Sequence, residues 1–300
     1  MAFHSDLTGK RVLITGASGF TGRYVVDRLA AAGCEVHDLR AERGGTQINL
    51  LDRAALSARV LEVAPQLVVH LAAISFVAHG DPEEIYSVNV AGTRNLLDSL
   101  ARLPVTPSNV LLASSANVYG NASGVLDERA PLSPQNDYAV SKMAMEAMAS
   151  LWRYALPLTV VRPFNYTGVG QTEKFLIPKI VSHFRRGQSV IELGNTDVSR
   201  DFYDVRCVAE AYFRLLALQG AGDTYNVCSG KEYSLDQIIG MMREVSGRDI
   251  EVRVNPSFVR ANEIKSLRGD NTHLRSRVGE LPAFDLKEML RWMYKAGEQA

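Results

Sequence analysis

Arg11-Val12-Leu13-Ile14-Thr15-Gly16-Ala17-Ser18-Gly19-Phe20-Thr21-Gly22 is the stretch that decides the fold. Arg11–Thr15 is a short apolar run that reads as a buried strand. Glycines at 16, 19 and 22 follow it at once, and Tyr24, Val25, Leu29 and Ala32 then lie on one helical stripe. Strand, glycine turn and helix in that order make the first βα unit of a dinucleotide-binding fold. Gly16 allows the tight turn, Gly19 lets a pyrophosphate approach the backbone, and Gly22 permits close packing of helix on strand. The helix N-terminus then turns its positive dipole end toward the phosphates.

The same alternation continues outward. Glu35–Leu39 reads as a second strand, and Asp52 as the N-cap of a helix running to Val63. Leu67–His70 is a third strand, Glu83–Arg102 a long helix and Val110–Ala113 a fourth strand. Asp137–Tyr154 is a helix and Leu158–Val161 a strand. This pattern specifies an α/β fold, a Rossmann-like doubly wound parallel sheet covered on both faces. Beyond Arg162 the segments shorten, with helices expected at Phe175–Arg186, Arg206–Leu218, Leu235–Val245 and Asp285–Tyr294. Strands are expected at Val190–Leu193, Tyr225–Val227 and Ile250–Val254. The division is therefore 1–162 for a nucleotide-binding domain and 163–300 for a smaller α/β lobe that binds substrate, with some chain returning to the first domain.

Composition narrows the class. The 300 residues carry 33 basic and 33 acidic side chains, so no field of one sign points to nucleic acid or an anionic membrane. Cys34, Cys207 and Cys228 are far apart and lack metal-ligand spacing, which fits a reduced cytoplasmic setting. No run approaches the roughly 20 apolar residues of a membrane span. The N-terminus, Met1–Lys10, has no apolar signal core.

Chemistry enters at the carboxyl ends of the strands. The fourth strand runs into Ser114-Ser115-Ala116-Asn117, where a serine hydroxyl faces the crevice. Tyr138 and Lys142 are one helical turn apart, so phenol and ammonium share a face. A nearby Lys⁺ lowers the pKa of a phenol. Ser115 orients a carbonyl, Tyr138 donates the proton, Lys142 holds the cofactor ribose and tunes Tyr138, and a nicotinamide supplies the hydride. The end of the second strand reads the cofactor's 2′ position. Arg40, with Arg43 behind it, suits the 2′-phosphate of NADP, whereas Asp38 would accept a ribose hydroxyl if the strand ended a residue or two earlier.

These motifs resemble the extended short-chain dehydrogenase/reductases that act on nucleotide-activated sugars, along essentially the whole chain. Thr15–Gly22 is similar to TGxxGFxG, which implies cofactor contacts from Gly16, Ser18, Gly19, Phe20 and Gly22. Leu71, Ala72 and Ala73 after His70 resemble the segment under the cofactor, Asn89 the Asn of the following helix, and Asn49 and Leu50 the residues near adenine. Ser115, Tyr138 and Lys142 match the catalytic triad, with Tyr138 and Lys142 also touching the cofactor. For the substrate, the resemblance implies Asn165, Arg200, Arg260 and Glu263 against the nucleotide sugar, Ser75 near sugar hydroxyls and Lys179 near the nucleotide.

Within the family, dehydratases place an acid two residues after the catalytic Ser or Thr, where this chain has Asn117. Neither Ala116 nor Asn117 is a general base. Reduction or 4-epimerisation is left. Phe164–Gln171 resembles FNHxGPGQ, and Tyr225–Gly230 the YNVCSG segment, of GDP-4-dehydro-6-deoxy-D-mannose reductases. The departures are Tyr166 for His and Val169 for Pro. The resemblance implies NADPH-dependent reduction of a GDP-4-keto-6-deoxyhexose to GDP-D-rhamnose or GDP-6-deoxy-D-talose by a cytoplasmic homodimer. The alternatives are a nucleotide-sugar 4-epimerase with tightly bound NAD, and a non-catalytic NADP-binding regulator.

Overall fold

A computed structural model describes residues 6–40, 45–75, 81–218, 222–259 and 265–296. Six strands form the central sheet: β1 (Arg11–Thr15), β2 (Glu35–Asp38), β3 (Leu67–His70), β4 (Asn109–Ala113), β5 (Leu158–Pro163) and β6 (Thr224–Val227). Their order is β6-β5-β4-β3-β1-β2, and every pair is parallel. The order reverses between β1 and β3, which opens a crevice at their carboxyl ends. Register aligns Thr15 with His70 and Ala113 with Val161, so the residues that follow emerge along one edge.

The period-2 alternation of a strand separates two cores. Val12, Ile14, Leu67, Val69, Leu111 and Val161 pack with Val25 and Leu29 of the Phe20–Ala31 helix and with Tyr212 and Leu215 of the Val205–Ala217 helix. Leu13, Val68, Val110 and Leu112 pack on the other face with Leu56, Val60, Leu96, Leu97, Leu100 and Met145. Each such buried side chain contributes on the order of 1.5–3 kcal/mol.

The Glu83–Arg102 helix is found as Pro82–Tyr86, a widened π-helical turn at Ser87–Gly92, and Thr93–Ala101. Thr93 donates its hydroxyl to the Asn89 carbonyl at 2.7 Å. Gly92 lies so close to Leu50 that an added Cβ would sit 3.0 Å from the Leu50 Cβ. The Tyr138 helix spans Asp137–Ala149 and passes into a 3₁₀ turn at Ser150–Trp152, short of the expected Tyr154.

The smaller lobe has its own core, in which Ile177, Ile180, Phe184, Leu235, Ile239, Met289 and Leu290 meet. Its main sheet joins Glu232–Ser234, Ser199–Asp204, Ser266–Gly269 and Val125–Leu126, with Asn165–Thr167 paired to Ser199–Asp204. The two halves of the chain exchange elements. Val125–Leu126 from the first half closes the lobe's sheet on Ser266–Gly269. In return, the Val205–Ala217 helix, β6 and the Thr272–Val278 helix belong to the central sheet and its core. No helix among the described residues is long and apolar enough to cross a membrane.

Candidate active site

The glycine loop fits the cradle of a dinucleotide. Gly16 has φ 75°, a left-handed conformation that glycine adopts without penalty. A Cβ there would also lie 2.8 Å from the Ala72 nitrogen, so the Leu71-Ala72 segment sits directly against the turn. At Gly22 a Cβ would fall 2.1 Å from the Gly16 carbonyl oxygen. Gly19 is the N-cap of the Phe20–Ala31 helix and supplies no side-chain cap, which leaves first-turn N–H groups for an anion. Ser18 and Gly19 are exposed beside it. Gly22→Ala is expected to lower stability by roughly 1–3 kcal/mol through overpacking and to weaken dinucleotide binding, as measured by urea unfolding and fluorescence titration.

A chain of hydrogen bonds ties this loop to β3. Ala72 N–H donates to Thr15 Oγ1 at 3.1 Å, and Thr15 Oγ1 lies 2.6 Å from His70 Nδ1. His70 Nε2 lies 2.8 Å from Thr93 Oγ1, which itself donates to Asn89 O. That direction makes His70 neutral, with its proton on Nε2 and Thr15 donating to Nδ1. Burial, then the Lys142 charge, pushes the imidazole down from 6.5 to about 3. The unfolded chain binds a proton near pH 6.5 while the native state does not, so this site's stabilisation is present above pH 6.5 and fades as pH falls toward 3. His70→Gln is therefore expected to flatten the acid limb of a melting-temperature profile over that window.

Ser115, Tyr138 and Lys142 come together at the carboxyl edge. Asn136 caps the Tyr138 helix by accepting from Ala139 N–H at 2.9 Å. Ser115 has extended backbone just past β4, accepts from Asn117 N–H at 3.2 Å and lies near enough to Tyr138 to act on its phenol. Tyr138 is 8% exposed and Lys142 5%. The Lys142 ammonium donates to the Ala113 carbonyl at 2.7 Å and stands 6.0 Å from the Tyr138 ring centroid. The expectation that Lys142 lowers the Tyr138 pKa is corrected here. Burial raises the phenol well above its ordinary value, the nearby Ser115 hydroxyl only partly opposes this, and Tyr166 adds to the rise. Lys142 itself is pushed down by burial to about 8, with Glu146 acting to hold it up.

Glu146, one turn beyond Lys142 on the same helix, was missed by the motif reading, although the four-residue spacing repeats. It accepts a bidentate pair from Arg162 at 3.0 and 2.6 Å and a hydroxyl from Ser114 at 2.5 Å. Arg162 also donates to Tyr119 Oη and Glu128 O, and Tyr119 donates to Asn226 Oδ1 at 2.7 Å. This buried network fixes the Tyr138 helix to β4, β5 and β6.

The remaining candidates divide by position. Asn89 spends its amide on Ile74 N, Ile74 O and Ser141 Oγ, so it splints the loop after β3 to the Tyr138 helix. Leu50 packs its side chain into the second core, while Asn49 is exposed and turns back to Leu51 N–H. The strand β2 ends at Asp38, earlier than the expected Leu39, and the Asp38 carboxylate pairs with Arg40 at 3.2 Å. Both residues thus stand at the carboxyl end of β2, while Arg43 lies outside the described residues. Asn165 Nδ2 is buried with no hydrogen-bond partner among the described residues. Such an orphaned donor fits a ligand oxygen. Ser75 is exposed beyond Ile74, and Lys179 donates to Glu192 O at 2.6 Å with its ammonium over the Phe258 ring. Arg200 reaches Ser199 O. The buried Asp201 accepts from Ser229 N, Ser229 Oγ and Gly230 N, which explains the Cys228-Ser229-Gly230 turn. Arg260 and Glu263 lie outside the described residues.

Comparisons with known proteins agree with this geometry. The NAD dependent epimerase/dehydratase family matches residues 12–228. GDP-6-deoxy-D-talose 4-dehydrogenase of Aggregatibacter actinomycetemcomitans is 35% identical, over 95% of this chain and 97% of its own. GDP-6-deoxy-D-mannose reductase of Pseudomonas aeruginosa is 34% identical, over 94% and 95% respectively. Among solved structures, a Burkholderia cenocepacia protein described as a candidate epimerase superposes with TM-score 0.90 at 47% identity, covering 98% of this chain and 100% of that one. RMD from Pseudomonas aeruginosa in complex with NADPH gives TM-score 0.86 at 32% identity, covering 99% of each. Glycine loop, strand-end serine, Tyr–Lys pair and these matches converge: the chain belongs to the NAD dependent epimerase/dehydratase family, the extended short-chain dehydrogenase/reductases.

Proposed function

We propose that this protein uses NADPH to reduce the C4 keto group of a GDP-linked 4-keto-6-deoxyhexose, giving GDP-D-rhamnose or GDP-6-deoxy-D-talose. The observation that carries the reading is the gathering of Ser115, Tyr138 and Lys142 at the carboxyl edge of the sheet, with Ala116 and Asn117 where a dehydratase would need an acid. The names of the two GDP-6-deoxyhexose relatives support the substrate class. The RMD complex supports NADPH.

Gly16, Ser18, Gly19, Phe20 and Gly22 would hold the pyrophosphate, Leu71–Ala73 would lie beneath the cofactor, and Arg40 would meet the 2′-phosphate. When bound, the reduced nicotinamide supplies a hydride to the carbonyl carbon. Ser115 donates a hydrogen bond to the carbonyl oxygen, and Tyr138 passes its phenolic proton to the oxygen as the alcohol forms. Burial keeps that phenol in its protonated form, the form a reduction requires. Asn165, Lys179, Arg200, Arg260 and Glu263 would hold the nucleotide sugar, with Ser75 at the sugar hydroxyls. The charge on Lys142 is lost as pH rises through about 8, so kcat/KM is expected to fall above that pH, as a pH–rate profile would show.

The test is NMR of the product formed from GDP-4-keto-6-deoxymannose with NADPH. Stoichiometric NADPH oxidation with one C4 epimer supports the reading, and no turnover overturns it. A second reading, 4-epimerisation, is favoured by the Burkholderia protein described as a candidate epimerase. It requires conversion without net NADPH oxidation. We also infer a homodimer through the Glu83–Arg102 helical segment and the Tyr138 helix, past whose end Leu151 stands 75% exposed. The free cysteines suit the reducing cytoplasm.

A further inference from the structure

We infer that Tyr166 is a positioning residue whose hydroxyl, bonded to Thr21, registers the sugar-binding strand against the first turn of the nucleotide-loop helix. The inference rests on the cofactor and substrate reading above. Thr21 Oγ1 and Tyr166 Oη are 2.7 Å apart, and the Tyr166 ring stacks on Phe20 at 6.1 Å with a 12° interplanar angle. Phe20 and Thr21 open the helix directly behind Gly19.

The contact does not stand alone. Arg23 of the same helix donates to Gly170 O at 3.1 Å, and Tyr24 donates its hydroxyl to Val169 O at 2.8 Å. One helix therefore grips residues 166, 169 and 170 of the segment that also carries Asn165. That segment continues into the lobe, where Asn165 pairs with Phe202 and Tyr166 with Tyr203 on the strand bearing Arg200. Alternation along a strand places Tyr166 on the side opposite Asn165. The phenol is then turned to the cofactor helix while the orphaned Asn165 amide is turned away from it.

Tyr166 and Thr21 form a hydroxyl–hydroxyl pair between strand and helix. Holding Phe20–Gly22 in place before binding removes an ordering cost that a looser first turn would impose on the phosphate. Holding Asn165 in the same step couples the sugar side to the cofactor side.

The experiment is a double-mutant cycle with Tyr166→Phe and Thr21→Val, both isosteric and each removing one hydroxyl. NADPH dissociation constants are read by fluorescence, and KM and kcat for the GDP-4-keto sugar by NADPH oxidation. Each single variant is expected to raise both the NADPH Kd and the sugar KM about fivefold, the loss of one hydrogen bond, with kcat changed less than about twofold. The double variant is expected to match the singles. Wild-type constants in the singles, or effects that multiply in the double, overturn the latch while leaving the proposed reaction intact. A wild-type protein that binds no NADPH overturns both.

Discussion

Tyr138→Phe is expected to lower kcat by about 10³-fold, within the range for loss of a positioned general acid, while NADPH binding stays close to wild type. The phenyl ring keeps the packing of a residue that is almost fully buried. What disappears is the only atom of that side chain that carries a proton to the crevice. Ser115 keeps its bond from Asn117 N–H, so its orientation survives. Lys142 keeps its bond to the Ala113 carbonyl, so the ammonium stays on the floor of the site. Single-turnover kinetics with saturating NADPH separate this chemical defect from binding. A variant that retains more than a tenth of the activity would remove Tyr138 from the chemistry.

The largest stability effect is expected from Arg162→Met, a loss of about 3–5 kcal/mol. Arg162 is 6% exposed, and its guanidinium satisfies Glu146, Tyr119 and the Glu128 carbonyl together. Removing it leaves the Glu146 carboxylate, 11% exposed, with Ser114 as its remaining hydrogen-bond donor among the described residues. A largely desolvated carboxylate that has lost its ion-pair partner, with the Lys142 charge only nearby, is the mechanism of the loss. The double variant Glu146→Leu/Arg162→Met is expected to recover part of that stability, because it also removes the stranded carboxylate. Urea unfolding of the two variants beside wild type checks both expectations. The double variant should still show impaired turnover, since the Tyr138 helix loses its tie to β4 and β5.

The parallel sheet was legible in the sequence because its strands are short apolar runs separated by amphipathic helices. The glycine loop and the Tyr138–Lys142 spacing were legible because their chemistry is local. The lobe's main sheet was not. Ser199–Asp204 is a polar-looking run, and Val125–Leu126 is two residues long with a partner at Ser266–Gly269, so pairing rather than local pattern makes them strands. Glu146 escaped for the same reason, since its partners Ser114 and Arg162 meet only after β4 and β5 are side by side. The direction of the Tyr138 shift was misread because spacing reports proximity to Lys142 and says nothing of depth. In the folded protein the ammonium is aimed at a carbonyl, and desolvation decides the phenol.

The exchange of elements between the two halves has a consequence for how the chain is made. As it leaves the ribosome, the first five strands can pair, yet the apolar face formed by Val12, Ile14, Leu111 and Val161 has only Val25 and Leu29 of the Phe20–Ala31 helix against it, and the rest of its cover waits for Val205–Ala217 and its sixth strand for Thr224–Val227. Val125–Leu126 waits longer still, until Ser266–Gly269 is synthesised. A nascent chain stopped near residue 163 therefore presents a sheet covered on one face and only partly on the other, a surface suited to holdase chaperones or to self-association. Native closure belongs to the nearly complete polypeptide, so a premature stop before the Thr272–Val278 helix leaves the central core without Leu274 and Val278.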